Sequence, residues 1–100
     1  MITITLKNEG KALKQIIFHG HAMYDDYGKD IVCSAVSSIV TTTVNGLLSL
    51  DRESITYMVS KKGMTITINS SDRTTQILIR NMINLLKELE KNYKENIEVK

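Results

Sequence analysis

Two kinds of apolar spacing alternate along this chain, and their order constrains the fold more than any other feature. Apolar residues at every second position predict half-buried strands, whereas spacings of three and four predict amphipathic helices. In chain order, the predicted elements are strands near 2–7 and 13–22, a helix over 31–50, strands near 55–59 and 64–68, and a helix after 72.

Each pair of neighbouring predicted strands is joined by a short turn, so each pair predicts a hairpin. The turns are Asn8-Glu9-Gly10 and Lys61-Lys62-Gly63. The order ββαββα then predicts an α+β fold, in which an antiparallel sheet of two hairpins carries two amphipathic helices on one face. Alternating Ile97 and Val99 fit a short C-terminal strand.

The ends of the helices, and one internal segment of low helix propensity, can also be predicted. Asp30 is the predicted N-cap of the first helix, and Ser71 or Asp72 that of the second. The first helix contains Thr41-Thr42-Thr43, and β-branched residues lose side-chain freedom in helices. An edge strand is the competing prediction there, although the length of the apolar repeat favours a helix.

Composition bounds the class of protein. One hundred residues, 42% of them hydrophobic, make a single domain (1–100) whose modest core is compatible with oligomerisation. The net charge of +2 comes from scattered residues of both signs, so no dedicated nucleic-acid site is expected. We expect no membrane span and no signal peptide. A lone cysteine excludes an intramolecular disulfide and fits the reducing cytoplasm.

The lone cysteine, Cys33, lies near the start of the first predicted helix, twelve positions after His21. The first turn of a helix favours a thiolate, and a thiol paired with an imidazole is the minimal machinery of a cysteine hydrolase. The alternative is that Cys33 is a small buried hydrophobe. Helical phase places it about 100° from Val32, on a more polar flank shared with Ser37.

Three neighbours of this pair are candidate supporting residues. Gly20 leaves room for a close backbone approach beside His21. Asp30 either caps the helix or orients the imidazole, and both roles stay open. Ser37, one turn beyond Cys33, is either a solvated helical hydroxyl or a substrate contact.

A metal-binding module is an alternative use of the same segment. His19 and His21 lie on one face of the predicted strand, and Cys33 or Asp25 would complete a zinc site. Structural zinc sites use four ligands, and the chain has one cysteine and two histidines. We therefore expect neither a metal nor another cofactor.

Two short motifs surround the Cys-His pair: Gly20-His21-Ala22 and Gly28-Lys29-Asp30-Ile31-Val32-Cys33-Ser34-Ala35-Val36-Ser37. In both, the chain resembles the ribosomal-processing cysteine protease family, often called Prp. The resemblance extends over the whole chain, from the opening hairpin through Val44-Asn45 to the C-terminal amphipathic helix. It does not extend to the composition of the loop at 23–29.

The resemblance implies an α+β homodimer that acts as an endopeptidase, with Cys33 as nucleophile and His21 as base. The implied substrate is the short apolar N-terminal extension of a large-subunit ribosomal protein, removed before or during ribosome assembly. Gly20, Asp30 and Ser37 also fall on family motif positions. The main alternative is a non-catalytic ribosome-associated adaptor, in which the motif is merely a helix start.

Three further expectations concern how such a protease would work. Backbone amides of 31–33 are expected to stabilise the oxyanion. The substrate is expected to bind either as an added strand or in a groove over the sheet edge. The loop at 23–29 is expected to be a lid that is mobile without substrate and ordered with it.

Overall fold

The secondary structure follows the predicted alternation of hairpins and helices. The computed structural model describes residues 1–20, 27–61 and 63–100, and for 27–30 the backbone alone. The predicted order ββαββα is confirmed, and the C-terminal segment adds the short last strand. The elements are β1 (Ile2–Glu9), β2 (Ala12–His19), α1 (Tyr27–Leu50), β3 (Ile55–Ser60), β4 (Gly63–Ile68), α2 (Arg73–Asn92) and β5 (Ile97–Val99).

The strands form one five-stranded sheet in the order β3-β4-β2-β1-β5. The two predicted hairpins, β1–β2 and β3–β4, are antiparallel, and β2 and β4 join them, also antiparallel. The last strand differs, because β5 pairs with β1 in parallel, with Ile2 opposite Ile97. The sheet is therefore mixed rather than purely antiparallel, since α2 returns the chain so that β5 runs beside β1 in the same direction.

A single hydrophobic core lies between one face of the sheet and the two helices. Ile16 lies opposite Ile66 across the β2–β4 pair, and both side chains are completely buried. Burial of an aliphatic side chain of this size stabilises the fold by roughly 1.5–3 kcal/mol. The helices supply the other half of this core through Val32, Val36, Val40, Val44 and Leu47 of α1, and Ile79, Met82, Ile83 and Leu86 of α2.

Helix α1 begins one turn earlier than predicted. It starts at Tyr27, so Asp30 lies inside its first turn and the prediction that Asp30 is the N-cap is wrong. The extra turn carries no apolar repeat, and this is why the periodicity did not show it. Further along, Thr41–Thr43 are helical as favoured, and the Thr43 hydroxyl donates a hydrogen bond to the Ile39 carbonyl at 3.0 Å.

The length and apolar composition of α1 also meet the criteria for a membrane-spanning helix. Residues 31–50 are long and apolar enough to cross a membrane by length and composition alone, contrary to the expectation that no such segment exists. Core helices pass the same test. In this fold the apolar stripe of α1 packs against the sheet and α2, so this stripe belongs to the core.

Helix α2 is capped by Asp72, one of the two predicted residues. Its carboxylate accepts a hydrogen bond from the Thr75 amide at 2.7 Å. This bond from the backbone of Thr75, with a further one from the Thr75 side chain, holds the pKa of Asp72 below its usual range. The charged form is therefore favoured by folding.

We expect the contribution of this cap to depend on pH. Because the pKa of Asp72 is lower in the folded chain, the stabilisation is present above the unfolded pKa and is lost as pH falls through the folded pKa. Asp72→Ala should lower the Tm at neutral pH, and the difference in Tm between the variant and the parent protein should shrink in acid. Thermal unfolding at a series of pH values measures this, with Ser71→Ala as the matched control. A pH-independent difference would contradict the prediction.

Candidate active site

Cys33 opens into a groove between α1 and the ends of four strands, β1 to β4. The groove has a volume of about 300 Å³. One wall is a line of α1 side chains that begins at Cys33, and the opposite wall comes from both hairpins. The lining residues are Cys33, Val36, Ser37, Val40 and Thr41 of α1, Ile2, Phe18 and Gly20 at the first hairpin, and Val59, Ser60, Gly63 and Met64 at the second.

The position of Cys33 follows from helical phase. Val32 is completely buried and faces the core, while Cys33, about 100° further round, is only partly buried. Its thiol therefore lies at the boundary between the core and the groove, as the polar flank predicts. Ser37, one turn later on the same flank, is exposed and lines the same groove.

Gly20 marks the point where β2 stops. Its φ of +90° lies in the left-handed region, so the strand ends at His19 and not at 22 as predicted. A Cβ at Gly20 would also overlap the carbonyl oxygen of Met1. Glycine is therefore required here by backbone conformation and by a close approach, which is the room that the sequence analysis expected.

Gly63 makes an even closer approach on the other side of the groove. It has a φ of +150°, and a Cβ there would overlap the carbonyl oxygen of Phe18 in the neighbouring strand. Phe18 is held within the sheet by its pairing with Ile4 and Met64. The contact lets β4 lie close to β2, which brings the second hairpin to the groove.

Gly63→Ala should therefore destabilise the fold by about 2–4 kcal/mol, because neither strand can move without breaking sheet hydrogen bonds. Gly46→Ala is the matched control. Gly46 lies in α1 with open space around it, so alanine should leave stability unchanged or raise it by up to about 1 kcal/mol. Urea unfolding of both variants measures the difference. Equal stabilities would contradict the proposed close packing at Gly63.

The structure brings Cys33, Ser37 and Gly20 to one groove, and the other predicted site residues are only partly placed. His21 and the segment 21–26 lie outside the described residues, although Gly20 brings the chain to the groove immediately before His21. Asp30 is placed by its backbone alone, in the first turn of α1. The roles of His21 and Asp30 stay predictions.

The structure contradicts two expectations about the reaction geometry. Cys33 lies in the second turn of α1, not the first, because the helix begins at Tyr27. The amides of 31–33 donate to carbonyls one turn back, so the prediction that they are free to stabilise an oxyanion is wrong. The expected lid at 23–29 falls largely outside the described residues, and its last three residues belong to α1.

His19 lies on the opposite side of the sheet from Cys33. Phe18 faces the groove and the core, and successive side chains of a strand point to opposite faces, so His19 points away. A zinc site that uses both His19 and Cys33 is therefore contradicted by the fold. Among residues 1–20, 27–61 and 63–100, no cluster of three metal-binding side chains occurs.

Sequence analysis missed the contribution of the second hairpin. Val59, Ser60, Gly63 and Met64 line the groove, but the alternating pattern identified them only as strand and turn residues. No local signal places them near Cys33, because their position depends on β4 pairing with β2.

Known proteins are similar to this chain over almost its whole length. The family model described as "Cysteine protease Prp" matches residues 1–98. The ribosomal processing cysteine protease Prp of Staphylococcus aureus strain Mu50 is 32% identical over 98% of this chain and 94% of that protein. A relative from Bacillus subtilis strain 168 with the same name is 26% identical over 99% and 96%, respectively.

Solved structures give the same fold with a ligand. The essential ribosomal processing protease Prp from S. aureus, in complex with a substrate peptide, superimposes with a TM-score of 0.87 at 27% identity, over 100% of this chain and 98% of that one. The same S. aureus protease with a covalently linked product peptide gives a TM-score of 0.85 at 27% identity, over 99% and 97%.

Proposed function

Because the chain belongs to the Prp family of cysteine proteases, we propose that it removes the N-terminal extension of a large-subunit ribosomal protein precursor. Cys33 is the nucleophile and His21 the base in this proposal. The observation that carries it is the partly buried thiol of Cys33 at the end of an apolar groove. Cys33 is the only cysteine in the chain, so no other residue offers a thiol.

The groove suits an apolar peptide. Val36, Val40, Phe18 and Met64 give it mostly aliphatic and aromatic walls, and it continues along α1 away from Cys33. A peptide laid in it would place apolar side chains against these walls and a backbone carbonyl beside the thiol. These features favour a groove over the sheet as the binding mode, rather than an added strand.

The proposed reaction is acyl transfer to sulfur followed by hydrolysis. The Cys33 thiolate attacks the scissile carbonyl carbon, and the tetrahedral intermediate collapses as the imidazolium of His21 protonates the leaving amine. The neutral imidazole then removes a proton from water, which attacks the thioester and releases the acid and the thiol. The structure of the S. aureus relative with a covalently linked product peptide supports covalent chemistry in the family.

The direct test is cleavage of the precursor. The purified protein is incubated with the organism's own large-subunit ribosomal protein precursor, and mass spectrometry locates the cut. A single cut that removes the N-terminal extension is expected. An intact precursor, under conditions in which an unrelated thiol protease cleaves it, would favour the non-catalytic adaptor. The same assay on an internal segment of the precursor, which lacks the N-terminal extension, tests whether the cut is specific.

A homodimer is also proposed, through the free edge of β3. Within the described chain β3 pairs only with β4, so its outer edge is open. Tyr57, Met58 and Val59 on this edge strand are 48%, 73% and 72% exposed, and β3 carries no charged residue. An apolar edge without charges is a template for pairing with a second copy. The other edge, β5, is only three residues long and contains Glu98.

The dimer is tested by Met58→Lys, which places a charge on the proposed interface. Sedimentation velocity should show a dimer for the parent protein and a monomer for the variant. Ile77→Lys is the matched control, because Ile77 is 54% exposed and lies on α2, outside the β3 edge. A dimer that survives Met58→Lys would place the interface elsewhere.

We further propose the cytoplasm as the compartment, on the basis of the lone thiol.

A further inference from the structure

A second groove lies between α2 and the β1–β2 hairpin. It has a volume of about 200 Å³ and an apolar floor made by Leu6, Leu13, Ile79 and Ile83. Its rim is polar and basic, with no carboxylate. The rim residues are Asn8, Gln76, Arg80, Asn84 and Lys87.

The basic residues of this rim belong to a line along α2. Arg73, Arg80 and Lys87 are seven residues apart, so they lie on one stripe of the helix at intervals of about 10.5 Å. All three side chains are exposed. No acidic residue occurs between 73 and 87, and in the described part of the chain no carboxylate pairs with these three cations.

The charge on this stripe is larger than the net charge of the whole chain, which is +2. The remainder of the chain is therefore slightly acidic overall. No nucleic-acid site was expected from the sequence, because charged residues of both signs are scattered along it. The helix places these three cations on one face.

We propose that this face of α2, with the groove beside it, binds single-stranded RNA. The evenly spaced cations can each contact a separate backbone phosphate, and phosphate contacts by arginine and lysine supply most of the affinity for nucleic acids. The amides of Asn8 and Asn84 can exchange hydrogen bonds with an unpaired base, and the apolar floor accepts its face. The choice of RNA among polyanions rests on the proposed function, because a precursor handled during ribosome assembly lies beside RNA.

This surface is separate from the groove at Cys33. The two grooves share no lining residue, and α2 contributes nothing to the wall that contains the thiol. RNA binding and peptide cleavage can therefore be measured independently. RNA on α2 would hold the protease on an assembling ribosomal particle while the peptide groove stays open.

The test measures binding of a fluorescein-labelled single-stranded RNA by anisotropy at several salt concentrations. The parent protein should bind with a log–log salt slope of about −2, as expected for three phosphate contacts. The triple variant Arg73→Gln, Arg80→Gln, Lys87→Gln should bind at least about tenfold more weakly. The matched control Lys7→Gln, Arg52→Gln, Lys100→Gln removes the same charge from exposed positions outside the stripe, and should stay within about threefold of the parent.

Equal losses in the two triple variants would overturn the proposal, because only bulk charge would then matter. The proposal would also be overturned if the parent protein does not bind RNA, or if it binds poly-glutamate more tightly than it binds RNA. Thermal unfolding checks that both variants fold. Cleavage of a short substrate peptide should be the same in all three proteins, so an active protease without RNA binding would refute this surface and leave the proposed function intact.

Discussion

Cys33→Ala should abolish peptide cleavage, with kcat/KM at least about a thousandfold below the parent value, because no other group in the chain can form the thioester. Cys33→Ser should be almost as inactive, since a hydroxyl is far harder to ionise than a thiol. The measurement is the initial rate of cleavage of a precursor peptide, followed by mass spectrometry of the products.

The fold should survive both substitutions. Cys33 is only partly buried at the edge of the groove, so removing its sulfur should cost at most about 1–2 kcal/mol of stability. Ser38→Ala on the exposed face of α1 is the control for changes to this helix. Cleavage near the parent rate in either Cys33 variant would refute the assignment of the nucleophile.

His21→Ala should lower kcat by about 10²–10⁴-fold, while peptide binding is kept. The imidazole is proposed to activate the thiol, so the pH profile for alkylation of Cys33 by iodoacetamide should move to higher pH in this variant. Both readouts are needed, because a purely structural role for His21 would lower activity without moving the alkylation profile.

His19→Ala is the matched control for His21. It removes an imidazole two positions away, from a side chain that points to the opposite face of the sheet. Cleavage and the alkylation profile should both match the parent protein. If His19→Ala moves the alkylation profile and His21→Ala does not, the base has been misassigned.

Most elements of the fold are predictable because they are local. Alternation in β1 and the helical repeat in α1 each reflect one buried face, and that face is encoded by residues close together in the chain. The start of α1 was misplaced by one turn, since a polar first turn at Tyr27 contributes nothing to the apolar pattern. The end of β2 was misplaced because the positive φ of Gly20 leaves no mark on periodicity.

The candidate site was predictable only where it depends on residues close together in the chain. Cys33 and Ser37 share a flank of α1 by helical phase alone, and Gly20 stands out as a glycine at the end of a strand. The lone thiol and the nearby His21 suggested a cysteine hydrolase, and resemblance to a family identified it as a protease. The pairing of Cys33 with His21 stays a prediction, and the mutants above test it.

The sequence by itself determined the order of strands and helices, the buried stripe of each helix and the polar flank on which Cys33 lies, because each depends on neighbours within a few residues. Only the tertiary structure decided that β5 joins β1 in parallel and that β4 lies against β2. That second pairing carries Val59 and Gly63 to the groove at Cys33, at least 26 positions away in the chain. Contacts at such separations are set by strand order and by the close approach of backbones at Gly63, which no local pattern of apolar residues records.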